Sequence, residues 1–135
     1  ALGLGQLERI SKLLRCKREI HQWYKTHLFS LVDRGIIYFQ KETPGSKPSW
    51  WVNAVTLRVK SVSKLALRLK AAGIDTRPFF LPMSDLPYLQ QKGSFSNARK
   101  IAATGLIFPS GGNLEEKDIA DISNRIKKVI NSSRA

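Results

Sequence analysis

The chemistry available to this chain concentrates in residues 73–88, "GIDTRPFFLPMSDLPY". Arg77 stands there as one cation among prolines and apolar side chains. A guanidinium on proline-braced backbone offers a planar fork for a carboxylate or phosphate. Phe79, Phe80 and Tyr88 flank it. The same residues would also suit a packed loop, with the rings closing a core edge, the prolines stiffening a turn and Arg77 snorkelling to water. The residues alone leave both readings open: the rim of a binding site, or a loop that closes a small domain.

The other templates lack parts. "GLGQ" (3–6) and "SGG" (110–112) do not have the spacing of a phosphate-binding fingerprint. His21 and His27 both fall in one predicted helix, with no nucleophile-elbow motif anywhere, which gives each a surface or packed role. Most carboxylates sit on predicted helix surfaces rather than paired in one pocket. Cys16 is the single cysteine, which excludes an internal disulfide and a cysteine-based zinc site. No catalytic residue and no metal ligand set is expected within this chain.

Charge sets the next bound. Twenty-three Lys+Arg against ten Asp+Glu give +13 at pH 7 in 135 residues, which raises nucleic acid as a partner. The basic residues run from Arg9 to Arg134 with no run longer than two, and no zinc-finger spacing or RNP-like aromatic motif accompanies them. Nucleic-acid binding is therefore not expected, and a basic surface that meets anionic small molecules fits better. No apolar run approaches ~20 residues, so no membrane span is expected. The start, "ALGLGQLERI", lacks the order of a signal peptide. A cytoplasmic location is the expectation.

These residues need a scaffold, and the length is that of one domain. From the start to about Leu31 the chain reads as one long amphipathic helix. Ile10, Leu13, Leu14, Ile20, Tyr24, Leu28 and Leu31 fall within an arc of roughly 120°. "RGIIYFQ" (34–40) reads as a short strand, "KETPGSKPS" (41–49) as a surface loop, and "WWVNAVTLRV" (50–59) as a buried inner strand apolar on both faces. "SVSKLALRLKAAG" (61–73) is a helix ending at Gly73. Pro78 then keeps Arg77 extended. "SNARKIAATG" (96–105) is a helix capped by Ser96 or Asn97, and "LIFP" (106–109) is a strand. The last helix opens at Asn113 with Glu116 three residues on, and carries Leu114, Ile119, Ile122, Ile126 and Val129 on one face. The order α-β-β-α-β-α-β-α predicts an α+β fold, a small antiparallel or mixed sheet packed with helices.

Four blocks in order, "ALGLGQLERI", "GIDTRPFFLPM…PY", "FSNARKIAATGLIFPSG" and "NLEEKDIADI", resemble the C-terminal part of the DegT/DnrJ/EryC1/StrS aminotransferases. The resemblance covers nearly the whole chain. It implies pyridoxal-phosphate enzymes that aminate keto groups on nucleotide-linked sugars, with the aspartate-aminotransferase (type I) fold. Residues 1–32 would be the helix leading out of a missing large domain, and residues 33–135 the small C-terminal α+β domain. The resemblance further implies a homodimer, with glutamate or glutamine as amino donor. It also implies that the Schiff-base lysine and most cofactor contacts lie upstream of Ala1, so that the isolated chain is inactive and does not bind pyridoxal phosphate covalently. Lys64, in "SVSK", lacks the glycines that should follow a family lysine and is rejected. Arg77, Phe79, Phe80 and Tyr88 match family positions and are the implied substrate-binding residues. Pro109-Ser110-Gly111 matches a family turn. Many relatives carry a histidine shortly after the "PFF-x-P-(L/M)" segment, where this chain has Ser84-Asp85. The alternative from another class is a non-catalytic basic binding or interaction module.

Overall fold

The computed structural model describes residues 2–89 and 93–132. The predicted first helix is three consecutive helices: α1 (Leu2–Glu8), α2 (Ile10–His27) and α3 (Phe29–Asp33). The breaks fall at Arg9 and Leu28, where the ladder tightens to three-residue bonds: Arg9 N–H donates to the Gln6 carbonyl, and Leu31 N–H to that of Leu28. The apolar stripe survives the second break, since Ile20, Tyr24, Leu28 and Leu31 are all fully buried. Its N-terminal part does not, and Leu4, Leu7 and Ile10 are exposed.

Four strands follow in one antiparallel sheet, order β1-β2-β4-β3: β1 (Ile37–Phe39), β2 (Asn53–Leu57), β3 (Arg77–Pro78) and β4 (Gly105–Phe108). β2 is an inner strand, as its composition predicts, but shorter than 50–59. Trp50 has φ 49°, a left-handed conformation that a bulky residue rarely adopts, and it turns the chain out of the strand path. β1 is also shorter than predicted. Gly35 (φ 62°) and the bond from Ile36 N–H to the Leu31 carbonyl close the helical segment first.

Register assigns the faces. Opposed residues in an antiparallel pair point to the same side. Ile37 pairs with Leu57, Phe39 with Val55, Val55 with Leu106, and Asn53 with Phe108. This inner face joins Ile20 and Tyr24 of α2, Leu65 and Leu69 of α4 (Val62–Ala71), and Ile119, Ile126 and Ile130 of α6 (Glu116–Asn131) in one core. Burying each such side chain fully stabilises the fold by about 1.5–3 kcal/mol. The outer face carries Tyr38, Ala54, Thr56, Gly105, Ile107 and Arg77, by the same register.

Two helix starts differ from the sequence reading. α5 (Ser96–Thr104) opens after Phe95 with no side-chain cap, because the half-buried Phe95 ring packs over Gly93 and sets the entry. α6 opens at Glu116 rather than Asn113. The chain is still turning at Leu114, whose N–H donates to the Gly111 carbonyl. Glu115 and Asp118 form the capping box instead, with Asp118 Oδ2 accepting from Glu115 N–H at 2.9 Å. α4 ends as predicted, with Gly73 at φ 77°.

Candidate functional site

Arg77 and Pro78 form β3, an edge strand of two residues opposite Ile107 and Leu106. The pairing puts Arg77 on the outer face and Pro78 on the core side. Arg77 is exposed, and among the described residues no ion pair or side-chain hydrogen bond engages it. Phe79 returns to the outer face and lies flat against Gly105. A Cβ at Gly105 would meet the Phe79 ring at 2.5 Å, so glycine is what lets the ring sit there. Phe80 then meets Phe79 edge-on, with centroids 6.3 Å apart and planes at 72°.

A residue from another segment joins them. Trp51 lies nearly parallel to Phe80, with centroids 6.1 Å apart and planes at 13°. Both rings stay open to solvent, at 62% and 61%. Sequence reasoning placed Trp51 inside a buried strand; the left-handed turn at Trp50 carries it out. Its neighbour goes the other way. Trp50 is buried and stacks on His21 at 3.6 Å and 5°. His21 Nδ1 lies 2.9 Å from Asn53 Oδ1, the geometry of an Nδ1–H donor to an amide oxygen. Burial lowers the His21 pKa, the Asn53 bond partly opposes this, and the nearby Lys25 adds to the lowering.

Beyond Phe80 lies a short 3₁₀ turn, Met83–Asp85. Asp85 Oδ1 accepts from Arg99 Nε at 2.9 Å and Nη2 at 2.8 Å, and from Ser84 Oγ at 3.3 Å. The Arg99 guanidinium, by its hydrogen bond and charge, holds the Asp85 carboxyl below the usual range. Asp85 is thus occupied in tying the loop to α5. Tyr88 is exposed at the far end of the loop, and the described ring contacts do not connect it to Phe79 or Phe80. The structure therefore brings Phe79, Phe80 and Trp51 into one aromatic patch, puts Arg77 on the outer face of β3 by register, and joins Tyr88 to neither through the described ring contacts.

The turn after β4 is clamped from α2. Tyr24 O–H donates to the Pro109 carbonyl at 2.8 Å, Lys17 Nζ to that of Ser110, and Cys16 Sγ to that of Gly112 at 3.2 Å. Burial pushes the Tyr24 phenol far up, so it remains a donor. A separate groove of about 760 Å³ runs between α4 and α5 past Val59, Ala66, Leu67, Lys70 and Thr76. Of residues 73–88 it touches Asp75, Thr76 and Pro78, but not Arg77, Phe79, Phe80 or Tyr88.

A pyridoxal phosphate site needs a lysine amine held deprotonated at the cofactor and an acid at the pyridine nitrogen. Lys64 is exposed in the first turn of α4, where its backbone N–H donates to Ser61 Oγ. Lys17 is tied to the Ser110 carbonyl.

Comparison with known proteins bears on what this patch belongs to. Residues 1–127 match the model of the DegT/DnrJ/EryC1/StrS aminotransferase family. A GDP-perosamine synthase from Vibrio cholerae is 31% identical over 97% of this chain and 36% of its own length. One from Caulobacter vibrioides is 26% identical over 96% and 36%. The chain thus spans about a third of the length of these relatives. Among solved structures, the aminotransferase TlmJ from Streptoalloteichus hindustanus superposes with a TM-score of 0.83 at 20% identity, covering 98% of this chain and 36% of that one. The DesI structure determined with its TDP-sugar product gives 0.80 at 20%, covering 98% and 35%. The fold is that of a part of a type I aminotransferase, an α+β unit whose small sheet is antiparallel throughout.

Proposed function

The chain belongs to the DegT/DnrJ/EryC1/StrS aminotransferase family, and on that footing we propose that it is the small-domain part of a nucleotide-sugar aminotransferase. The observation that carries this is the family match over residues 1–127, together with an exposed Arg77 that no ion pair or side-chain hydrogen bond engages among the described residues. In the whole enzyme the reaction moves an amino group from glutamate or glutamine to a keto-sugar. Pyridoxal phosphate, held by the large domain, supplies the electron sink for that transfer.

This chain's own residues bind and orient. Pro78 and the β3–β4 pairing fix the backbone at Arg77, so its fork points from the outer face toward anionic substrate groups at low entropic cost. Phe79, locked on Gly105, holds Phe80 in place. Tyr88 closes the far end of the loop. The exposed Leu4, Leu7 and Ile10 mark where the first helices meet the large domain or the second subunit of a homodimer. Residues 1–32 are read as the passage between domains and 33–135 as the small domain, with Ile20, Tyr24, Leu28 and Leu31 of that passage completing the small-domain core.

The test is steady-state amination of a nucleotide-linked keto-sugar by the polypeptide that carries this domain with a large domain. Arg77→Ala should lower kcat/KM by about 30- to 1,000-fold, equivalent to ~2–4 kcal/mol of lost charge-assisted contact, with little change in melting temperature. Arg77→Lys should recover only part, because an ammonium cannot reproduce the fork. Normal kinetics with a lowered melting temperature would make Arg77 a structural strut.

A further inference from the structure

We infer that the Asp85–Arg99 ion pair joins the loop after β3 to α5, so that the two are ordered and released as one unit, and that Arg99 is thereby a positioning residue for that loop. Its bearing on turnover rests on the reading of the chain as part of a nucleotide-sugar aminotransferase; the unit itself does not.

Burial sets this stretch apart. Ile74 and Gly105 are buried, yet among the described residues between them none is. Neither the 3₁₀ turn nor α5 contributes a buried residue. Phe80, Leu81, Met83 and Ile101 are large apolar side chains left exposed there. The apolar core that holds α2, α4 and α6 therefore does not hold this stretch.

Its attachments are few. Arg77 and Pro78 pair with β4, Phe79 sits on Gly105 just past α5, and Phe80 lies beside Trp51. Among the described residues, its side-chain hydrogen bonds and ion pairs stay within the stretch: Ser84 to Asp85, Thr104 to the Lys100 carbonyl, and Arg99 to Asp85. Of these three, only the last crosses from the loop to the helix. Arg99, in the first turn of α5, brings Nε and Nη2 to one oxygen, Asp85 Oδ1, at 2.9 and 2.8 Å. The helix thus holds the loop at two places, the 3₁₀ turn through Arg99 and Phe79 through Gly105. An exposed ion pair adds little to a well-packed fold. In a stretch without buried residues it is weighed against local opening alone, which costs far less than global unfolding. A contribution negligible for the whole domain then decides how much of the time the loop is closed on α5.

Hydrogen exchange of the 135-residue chain, read on peptides covering 79–89 and 96–104, tests this. Arg99→Gln should speed exchange by about two- to fivefold in both peptides together, with α2 and β2 unchanged. Arg99→Lys should recover part of the protection, because an ammonium cannot bring two fixed N–H groups to one oxygen. The charge swap, Asp85→Arg with Arg99→Asp, should restore most of it. Raising NaCl from about 0.05 to about 0.5 M should move the parent toward Arg99→Gln. Faster exchange in one peptide alone, or unchanged exchange in both, would overturn the unit. In the polypeptide that carries this domain with a large domain, Arg99→Gln should raise KM for a nucleotide-linked keto-sugar about two- to fivefold at unchanged kcat, and the charge swap should bring it back. An unchanged KM alongside faster exchange would make Arg99 structural only and overturn its positioning role. A parent polypeptide that aminates no such sugar would sink the aminotransferase reading, and the exchange data would still decide the unit.

Discussion

Trp50 and Trp51 are neighbours in sequence and opposites in environment. Trp50 is 8% exposed and stacked on a buried imidazole of α2, the helix whose Ile20 and Tyr24 join the core. Trp51 is 62% exposed and lies nearly parallel to the exposed Phe80 ring. One side of the domain is organised to hold the fold, and the other is held by it. The same residue type is therefore buried in one place and left open to solvent in the other.

Breaking each side in turn should separate these roles. Trp50→Ala removes a buried ring and its stack, and should cost about 3 kcal/mol or more in urea unfolding, whereas Trp51→Ala should stay within about 0.5 kcal/mol. Similar losses at both positions would remove the contrast. On the outer side Gly105 is tightly packed: an added Cβ would lie 2.5 Å from the Phe79 ring and 2.7 Å from the Ile101 carbonyl. Gly105→Ala should cost about 1–3 kcal/mol, and should loosen Phe80 enough to raise hydrogen exchange in the loop after β3.

The smallest effect concerns pH. Burial holds the His21 pKa below its ordinary 6.5, so the unfolded chain takes up a proton that the folded chain resists. Stability should then fall as pH drops through and below about 6.5, and should be insensitive to this group above it. Melting curves between pH 7.5 and 5 for the parent and His21→Gln isolate the contribution, since the variant should show a shallower fall. An identical pH profile for both would mean that the Trp50–His21 stack tolerates the imidazolium.

The loop that draws attention in the sequence proved legible in part. Arg77, Phe79 and Phe80 are contiguous, and Pro78 fixes their extended path, so their meeting required no long-range information. Trp51 and Asp85 were not legible in the same way. Trp51 reaches Phe80 only because of one torsion at Trp50. The engagement of Asp85 depends on Arg99, fourteen residues on, arriving from a helix that opens after the half-buried Phe95.

What the sequence by itself determined is periodic and local. The apolar spacing in α2, α4 and α6, the Gly73 stop, the inner position of β2 and the α+β order all follow from interactions within a few residues, where propensity and patterning act directly. What only the tertiary structure decided is which way a residue faces where the period breaks. At Trp50 the stack on His21 stabilises a torsion that local preference disfavours, and that choice sends the next tryptophan to the opposite side. The physical reason is that burial of a large ring outweighs the strain of one backbone angle, and that balance involves His21, twenty-nine residues earlier in the chain.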